Sequence, residues 1–132
     1  MARYPHMKEH EGLVWERFLA HVPWEVVRMA YDVRLGEGAR VAEGVPDWVR
    51  RMAWALSTKR VDVLVETPRE FIIVEVKSRA GLSAVGQLLG YLVLFQQQYR
   101  PEKRVRLAIV CEQVAPDMGP IVNEYGIEIH VV

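Results

Sequence analysis

Residues 60–91, RVDVLVETPREFIIVEVKSRAGLSAVGQLLGY, carry the strongest structural pattern in the chain. Two apolar runs are separated by the four residues TPRE, in which the proline stands at the second position of a tight turn. The segment therefore predicts a β-hairpin. Because side chains alternate across a strand, Asp62 and Leu64 share one face of the first strand, and Glu75 and Lys77 share one face of the second.

The turn also predicts how the two strands pair. A four-residue loop over 67–70 and a two-residue loop over 68–69 both place Asp62 opposite Glu75, with Cβ atoms about 5 Å apart. Repulsion between two such carboxylates is on the order of 3 kcal/mol at an effective dielectric constant of about 20. Burying an unpaired carboxylate within FIIVEV costs several kcal/mol more. We therefore expect cations in the gap, one from Lys77 and the rest from a divalent metal ion.

Asp62 followed by Glu75-Val76-Lys77 on adjacent strands resembles the PD-(D/E)xK nuclease superfamily. The resemblance implies that Asp62, Glu75 and the backbone carbonyl of Val76 bind Mg²⁺ or Mn²⁺. It also implies that Lys77 orients the attacking water and helps to deprotonate it. The implied fold class is α/β, a restriction-endonuclease-like core with a mixed central β-sheet flanked by α-helices.

The helix predicted after the hairpin, residues 84–98, carries a second motif. Gln87 and Tyr91 are four positions apart, so they share a helix face and both can lean toward the carboxylates. The run QLLGY resembles the QxxxY signature of the RecB-like branch, and EVKSR at 75–79 is similar to a stretch of archaeal Holliday junction resolvases. Taken alone, Gln87 and Tyr91 would be interpreted as a polar helix margin, and it is the Asp62 and Glu-x-Lys pattern upstream that favours a role in the site.

Length and composition indicate a globular protein. The chain has 132 residues, 51% of them hydrophobic and 26% charged, which predicts one nuclease-like domain over residues 1–132. The formal net charge is zero, so any nucleic acid is expected to be held by a local patch. Cys111 is the single cysteine, which excludes an internal disulfide and a cysteine metal cluster. No signal region or membrane span is predicted, and a cytoplasmic protein is expected.

Residues 8–22 predict an amphipathic helix that Pro23 ends. Glu11 falls within its apolar stripe, and the superfamily resemblance implies that such an acidic residue is a third acid of the metal site. The alternative is an ordinary first-turn glutamate. The histidines of this region show no metal-ligand spacing and are expected at the surface: His6, His10 and His21.

Residues 26–35 predict a strand, 39–45 a loop and 46–56 a short helix. Pro46-Asp47 spells the literal PD of the motif, but a proline and an acid in the first turn are ordinary at a helix start, so Asp62 is preferred as the ligand. Trp48 and Trp54 are candidates for base stacking, although core packing is the favoured prediction.

The remaining elements complete the fold prediction. Residues 78–83 are expected to be a connection, 104–111 a strand buried on both faces in a parallel arrangement, 117–125 a short helix and 126–132 a final strand. The order α-β-(α)-β-β-α-β-α-β fits the mixed sheet of the superfamily.

Basic residues suggest where phosphates bind. The predicted DNA contacts are Arg50, Arg51, Lys59, Arg60 and Arg79. A second cluster is given less weight, since such clusters are often solvated loop ends: Arg100, Lys103, Arg104 and Arg106.

The resemblance implies a Mg²⁺-dependent deoxyribonuclease, with a homodimer or a partner protein helping to hold the duplex. Two alternatives stay open. One is a catalytically inactive module of nuclease fold that binds DNA or assembles a larger complex, and the other is an RNA substrate.

Overall fold

The computed structural model describes Tyr4 and residues 6–132. Its elements follow the predicted order. They are α1 (Glu9–Leu19), β1 (Arg28–Leu35), α2 (Asp47–Ser57), β2 (Lys59–Glu66), β3 (Glu70–Ala80), α3 (Leu82–Tyr99), β4 (Arg104–Val114), α4 (Met118–Glu124) and β5 (Ile127–Val131).

The strands form one five-stranded sheet in the order β1-β2-β3-β4-β5. The first two pairings, β1 with β2 and β2 with β3, are antiparallel, whereas β3, β4 and β5 are parallel to one another. This confirms the predicted α/β class with a mixed sheet. The central strand β3 is where the antiparallel hairpin meets the parallel half, and α3 provides the crossover between β3 and β4.

Apolar side chains cover both faces of the sheet. On one face α1 places Trp15 and Phe18 against β3 and β4, whose Val74 and Val110 are fully buried there. On the other face α3 and α4 cover residues such as Ile73. Each large apolar side chain removed from water contributes about 1.5–3 kcal/mol. A strand that is buried on both faces is typically a continuous apolar run, and residues 107–111 of β4 are all apolar and buried between two parallel neighbours, as predicted.

Strand β2 changes face at Asp62. Val61 packs on the α3 side of the sheet, but Val63, two residues later, packs on the α1 side. Regular alternation would put both valines on the same face. The neighbouring strand has its own irregularity at the same level, because Asp32 has a φ of +54° and the paired residues on either side of it are Val33 with Val61 and Tyr31 with Val63.

Several predicted boundaries are wrong in detail. Helix α1 ends at Leu19, four residues before Pro23. The predicted connection 78–83 is wrong, since β3 continues to Ala80 because its last residues still pair with β4, and α3 begins at Leu82. In the part of the chain that the structure describes, no helix is both long enough and apolar enough to cross a membrane.

The prediction that the tryptophans of α2 pack in the core is also wrong. Trp48 is 58% exposed and Trp54 46% exposed, and α2 buries none of its residues fully. The helix turns its small side chains, Ala53 and Ser57, away from solvent and leaves its large ones outside.

Candidate active site

A cavity of about 360 Å³ opens where the pairing of β2 with β3 ends, while β2 itself stays paired with β1. It is lined by all six side chains that the sequence predicted for the site, which come from α1, β2, β3 and α3: Glu11, Asp62, Glu75, Lys77, Gln87 and Tyr91. The other lining residues are His6, Lys8, Thr58, Lys59 and Arg60. Residues far apart in sequence are thus brought to one acidic cavity with a basic rim.

The hairpin brings Asp62 beside β3 in an unexpected way. The predicted register is confirmed from Glu66 opposite Phe71 to Val63 opposite Val74, where the pairing ends. The predicted pairing of Asp62 directly opposite Glu75 is therefore wrong, because the backbone pairing ends at Val63, next to the residue at which β2 changes face. Instead, the Asp62 carboxylate reaches across, and its Oδ2 accepts a hydrogen bond of 2.9 Å from the backbone N–H of Val76.

His6 supports the same position, so the prediction of a surface histidine is wrong. Its Nε2 lies 3.0 Å from the backbone carbonyl oxygen of Asp62 and 3.7 Å from Oδ1, and its side chain is only 4% exposed. A carbonyl can only accept, so Nε2 is the donor in the first contact. No local pattern marked His6, since its partner lies 56 residues further along the chain.

Glu75 is the most deeply buried charge-bearing group of the cavity. Its side chain is 2% exposed, and its Oε2 lies 3.5 Å from Nζ of Lys77. Its other oxygen, Oε1, is buried and has no hydrogen-bond partner among the described residues. Burial, and next the negative charge of Asp62, raise the pKa of Glu75 to about 8.

The pKa of Asp62 is also raised, chiefly by burial. The Val76 N–H and the electrostatic interactions with His6 and Lys77 oppose this rise in pKa, while the charge of Glu11 adds to it. Two neighbouring carboxyl groups with raised pKa values are typical of a functional site. A bound cation would favour their ionised forms and so lower both pKa values.

Gln87 and Tyr91 reach the cavity from α3. Oε1 of Gln87 is buried and has no hydrogen-bond partner in the described part of the chain. Burial, followed by the charge of Glu75, raises the pKa of Tyr91, so its hydroxyl stays protonated near neutral pH and can donate a hydrogen bond. Both side chains therefore present polar atoms toward the carboxylates.

These residues fit a divalent metal ion of the Mg²⁺ type. Asp62 and Glu75 offer hard carboxylate oxygens, and the unpartnered Oε1 of Glu75 is a buried acceptor that a cation would satisfy. No group of three or more His, Cys, Asp or Glu side chains suited to a metal occurs among the described residues. Mg²⁺ is commonly bound through only one or two carboxylates, with water and substrate phosphate completing its shell.

Glu11 lies at the cavity in a double role. Its Oε1 accepts a hydrogen bond of 3.1 Å from the backbone N–H of Lys8, which caps the start of α1. It also lines the cavity close enough for its charge to raise the pKa of Asp62. Its assignment as a third metal ligand stays a prediction.

The predicted DNA contacts divide into separate places. Lys59 and Arg60 line the acidic cavity. Arg50 and Arg51 line a different cavity beside α2, and Arg79 is exposed further along β3 than Lys77.

Members of the second basic cluster are held in ion pairs away from the site. Lys103 pairs with Glu66, and Arg106 lies between Glu70, at 2.8 Å, and Glu128, at 2.5 Å. The partners of Arg106 are on β3 and β5, the two strands beside β4, whereas Glu66 is on β2, two strands away from β4.

Comparison with known proteins identifies the family of the chain. The family model described as the endonuclease NucS C-terminal domain matches residues 40–132, which is more than half of the chain. The chain belongs to this family. The NucS C-terminal match contains five of the predicted site residues, namely Asp62, Glu75, Lys77, Gln87 and Tyr91, whereas His6 and Glu11 precede it.

No curated protein sequence matches the chain. Among solved structures, this NucS-family chain is similar to a protein in the "Structure of EndoMS-dsDNA2 complex", with a TM-score of 0.53 and 19% sequence identity. The similarity covers 94% of this chain and 43% of that chain, so the fold is shared and the chain spans less than half of the other protein's length. The RecB-like branch stays a prediction.

Proposed function

We propose that this chain is a metal-dependent nuclease domain that hydrolyses DNA phosphodiester bonds at the acidic cavity. Membership in the NucS C-terminal family supports nuclease activity. The observation that carries the proposal is the unpartnered, buried Oε1 of Glu75 beside the Asp62 carboxylate. Leaving such a group without a partner is costly, and a bound cation would remove that cost.

Asp62, Glu75 and the backbone carbonyl of Val76 would hold the ion, Mg²⁺ or Mn²⁺, and Glu11 is the candidate for an additional ligand. When bound, the ion supplies a Lewis acid for the scissile phosphate and lowers the pKa of a coordinated water. The side chains of Asp62 and Glu75 approach from different strands, so the β2–β3 hairpin fixes their separation.

Lys77 is the candidate for orienting the attacking water. Its Nζ lies 3.5 Å from Oε2 of Glu75, and its side chain is 26% exposed, so it contacts both the metal ligand and the open part of the cavity. A positioned group that assists proton transfer contributes about 10²–10⁴-fold to a rate. Gln87 and Tyr91 orient metal ligands or the phosphate through their amide and hydroxyl hydrogens.

DNA is the favoured substrate over RNA. The solved structure with the same fold is titled as a complex with dsDNA, and Lys59 and Arg60 place two positive charges on the rim of the cavity. Such side chains contact phosphates without reading sequence. A duplex is larger than this cavity, and we infer that a second copy or a partner protein helps to hold it.

A catalytically inactive DNA-binding or assembly module is the second candidate. It is favoured by the raised pKa of Glu75, about 8, because a protonated Glu75 leaves Asp62 and Lys77 as a balanced pair with no need for metal. The chain also spans only part of the protein whose fold it shares.

Cleavage assays separate the two candidates. Labelled single-stranded DNA, duplex DNA, a four-way junction and matched RNA are incubated with Mg²⁺, Mn²⁺ or EDTA. The wild type is compared with Lys77→Ala and with Lys103→Ala, a control lysine held by Glu66 away from the cavity.

Metal-dependent cutting that Lys77→Ala abolishes and Lys103→Ala retains supports the enzyme. Binding of DNA without cutting in any metal, unchanged in Lys77→Ala, supports the inactive module. Preferential cutting of RNA would show that RNA, and not DNA, is the substrate of the nuclease.

A further inference from the structure

A second cavity, of about 510 Å³, lies between α2 and the loop that follows β1. It is lined by loop residues 37–41 and, from the helix, by Arg50, Arg51 and Trp54. It shares no lining residue with the acidic cavity. We call it the α2 cavity.

Trp54 is held in place although it is exposed. The guanidinium of Arg34 lies 5.2 Å from the centre of its ring, a cation–π geometry. Arg34 is itself fixed, since its Nη1 donates to Oγ1 of Thr58, at 3.1 Å, and to the carbonyl of Ala55. The indole is therefore ordered before any ligand arrives, and 46% of the residue remains exposed.

The charges around this indole favour an anionic ligand. Arg40, Arg50 and Arg51 line the cavity, and Glu37 is the only acidic residue among the described residues that line it. Arg50 donates to the carbonyl of Ala42 at 3.3 Å, which braces the loop against the helix. Among the described residues, Arg40 and Arg51 have no ion-pair partner, so their charges are available to phosphates.

The α2 cavity is connected to the acidic cavity through one helical turn. The carbonyl of Trp54 accepts hydrogen bonds from the backbone N–H of Thr58, at 3.0 Å, and from its hydroxyl, at 2.8 Å. Thr58 then lines the acidic cavity. Four helical residues span about 6 Å, so Trp54 and Thr58, which line one cavity each, lie close together on the backbone.

We propose that the α2 cavity binds an unpaired base of the DNA strand beside the cut site. Trp54 stacks on the base, and Arg40 and Arg51 contact the adjoining phosphates. An aromatic side chain combined with a positively charged groove is the general arrangement for single-stranded nucleic acid. The inference rests on the proposed function, because it takes DNA as the ligand.

The test is binding measured in EDTA, where metal-dependent cleavage is absent. Fluorescence anisotropy compares labelled single strands, blunt duplexes and duplexes with a short unpaired extension. Trp54→Ala is expected to weaken binding of DNA with unpaired nucleotides by about tenfold, as base–aromatic stacking predicts, and to leave the blunt duplex unchanged. Trp54→Phe retains an aromatic ring and is expected to keep most of the affinity.

Trp48→Ala is the matched control. Trp48 is an exposed tryptophan of the same helix, and it does not line the α2 cavity. Its replacement is expected to leave both affinities unchanged. Arg51→Ala supplies an independent readout, since losing one phosphate contact reduces the slope of log affinity against log salt by about one, whereas Trp54→Ala leaves that slope unchanged.

Equal loss of affinity for blunt and extended DNA in Trp54→Ala, or the same loss in Trp48→Ala, overturns the inference. A change of oligomeric state in Trp54→Ala also overturns it and identifies the cavity as a protein interface. If Trp54→Ala unfolds, Trp54→Phe and Arg51→Ala decide the question.

Failure of this inference differs from failure of the proposed function. A wild type that cuts DNA while Trp54→Ala binds extended DNA normally refutes the α2 cavity alone. A wild type that neither binds any form of DNA in EDTA nor cuts DNA with Mg²⁺ or Mn²⁺ refutes both.

Discussion

The Oδ2 atom of Asp62 accepts a hydrogen bond of 2.9 Å from the backbone N–H of Val76. This bond links β2 to β3 just beyond Val63, where their backbone pairing ends. The Asp62 carboxylate thus connects the two strands at the open end of the hairpin and also lines the cavity. The same side chain serves the stability of the fold and the proposed binding of metal.

Substitutions of Asp62 should separate these two roles. Asp62→Asn keeps an oxygen acceptor for Val76 but loses the charge, so we expect near-normal folding and loss of Mg²⁺ binding. Asp62→Ala leaves the buried N–H unpaired, which should lower the free energy of unfolding by about 1–3 kcal/mol. Urea unfolding and calorimetric titration with Mg²⁺ measure the two effects. Wild-type Mg²⁺ affinity in Asp62→Asn would rule out Asp62 as a ligand.

Stability without metal should fall as the pH rises. The pKa of Glu75 is about 8 in the folded chain against an ordinary value of 4.5, so between these values the unfolded state binds fewer protons than the folded state. The stabilisation is complete below the lower value and is lost as the pH rises through the upper one. The raised pKa of Asp62 acts in the same direction.

Thermal unfolding in EDTA across this pH range measures the effect. Glu75→Gln should flatten the dependence and stabilise the chain at alkaline pH, while Glu102→Gln, at an exposed position, should behave as the wild type. Added Mg²⁺ should also flatten the wild-type curve, because it favours the ionised carboxylates. A wild-type midpoint that rises over this interval contradicts the assignment.

His6 is expected to act by positioning Asp62. His6→Ala removes the donor to the Asp62 carbonyl, which should lower Mg²⁺ affinity severalfold, whereas His6→Gln can still donate and should restore part of the affinity. His21→Ala, at an exposed position of the same region, is the control. The idea fails if His6→Ala and His21→Ala bind Mg²⁺ equally.

The two basic clusters should differ in their effect on DNA. Arg60→Ala removes a charge from the rim of the acidic cavity and should reduce the slope of log affinity against log salt by about one. Lys103→Ala removes an ion-pair partner of Glu66 and should slightly lower thermal stability without changing that slope. Anisotropy titrations over a range of salt concentrations compare them. Equal slopes in both variants would contradict the distinction.

The hairpin and the element order followed from local signals, namely turn residues and side-chain alternation. The convergence of the six site residues followed from the resemblance to a nuclease superfamily, because residues so far apart in sequence share no local signal. The face change of β2 did not follow, since it accompanies a positive φ at Asp32 in the neighbouring strand. Nor did the exposure of Trp48 and Trp54. A helical pattern shows which side chains share a face, but whether other elements cover that face depends on where the helix docks.

The face change at Asp62 has a consequence for how the chain tolerates insertions and deletions. The paired residues from Val63 to Glu66 fix the position of Asp62 relative to the turn. One residue gained or lost there would shift the register and turn the Asp62 carboxylate to the other face, away from the cavity. The loop between β1 and α2 carries no such constraint from the sheet. Its length can vary while the carboxylates stay in place, which allows the surface beside them to diversify independently of the chemistry.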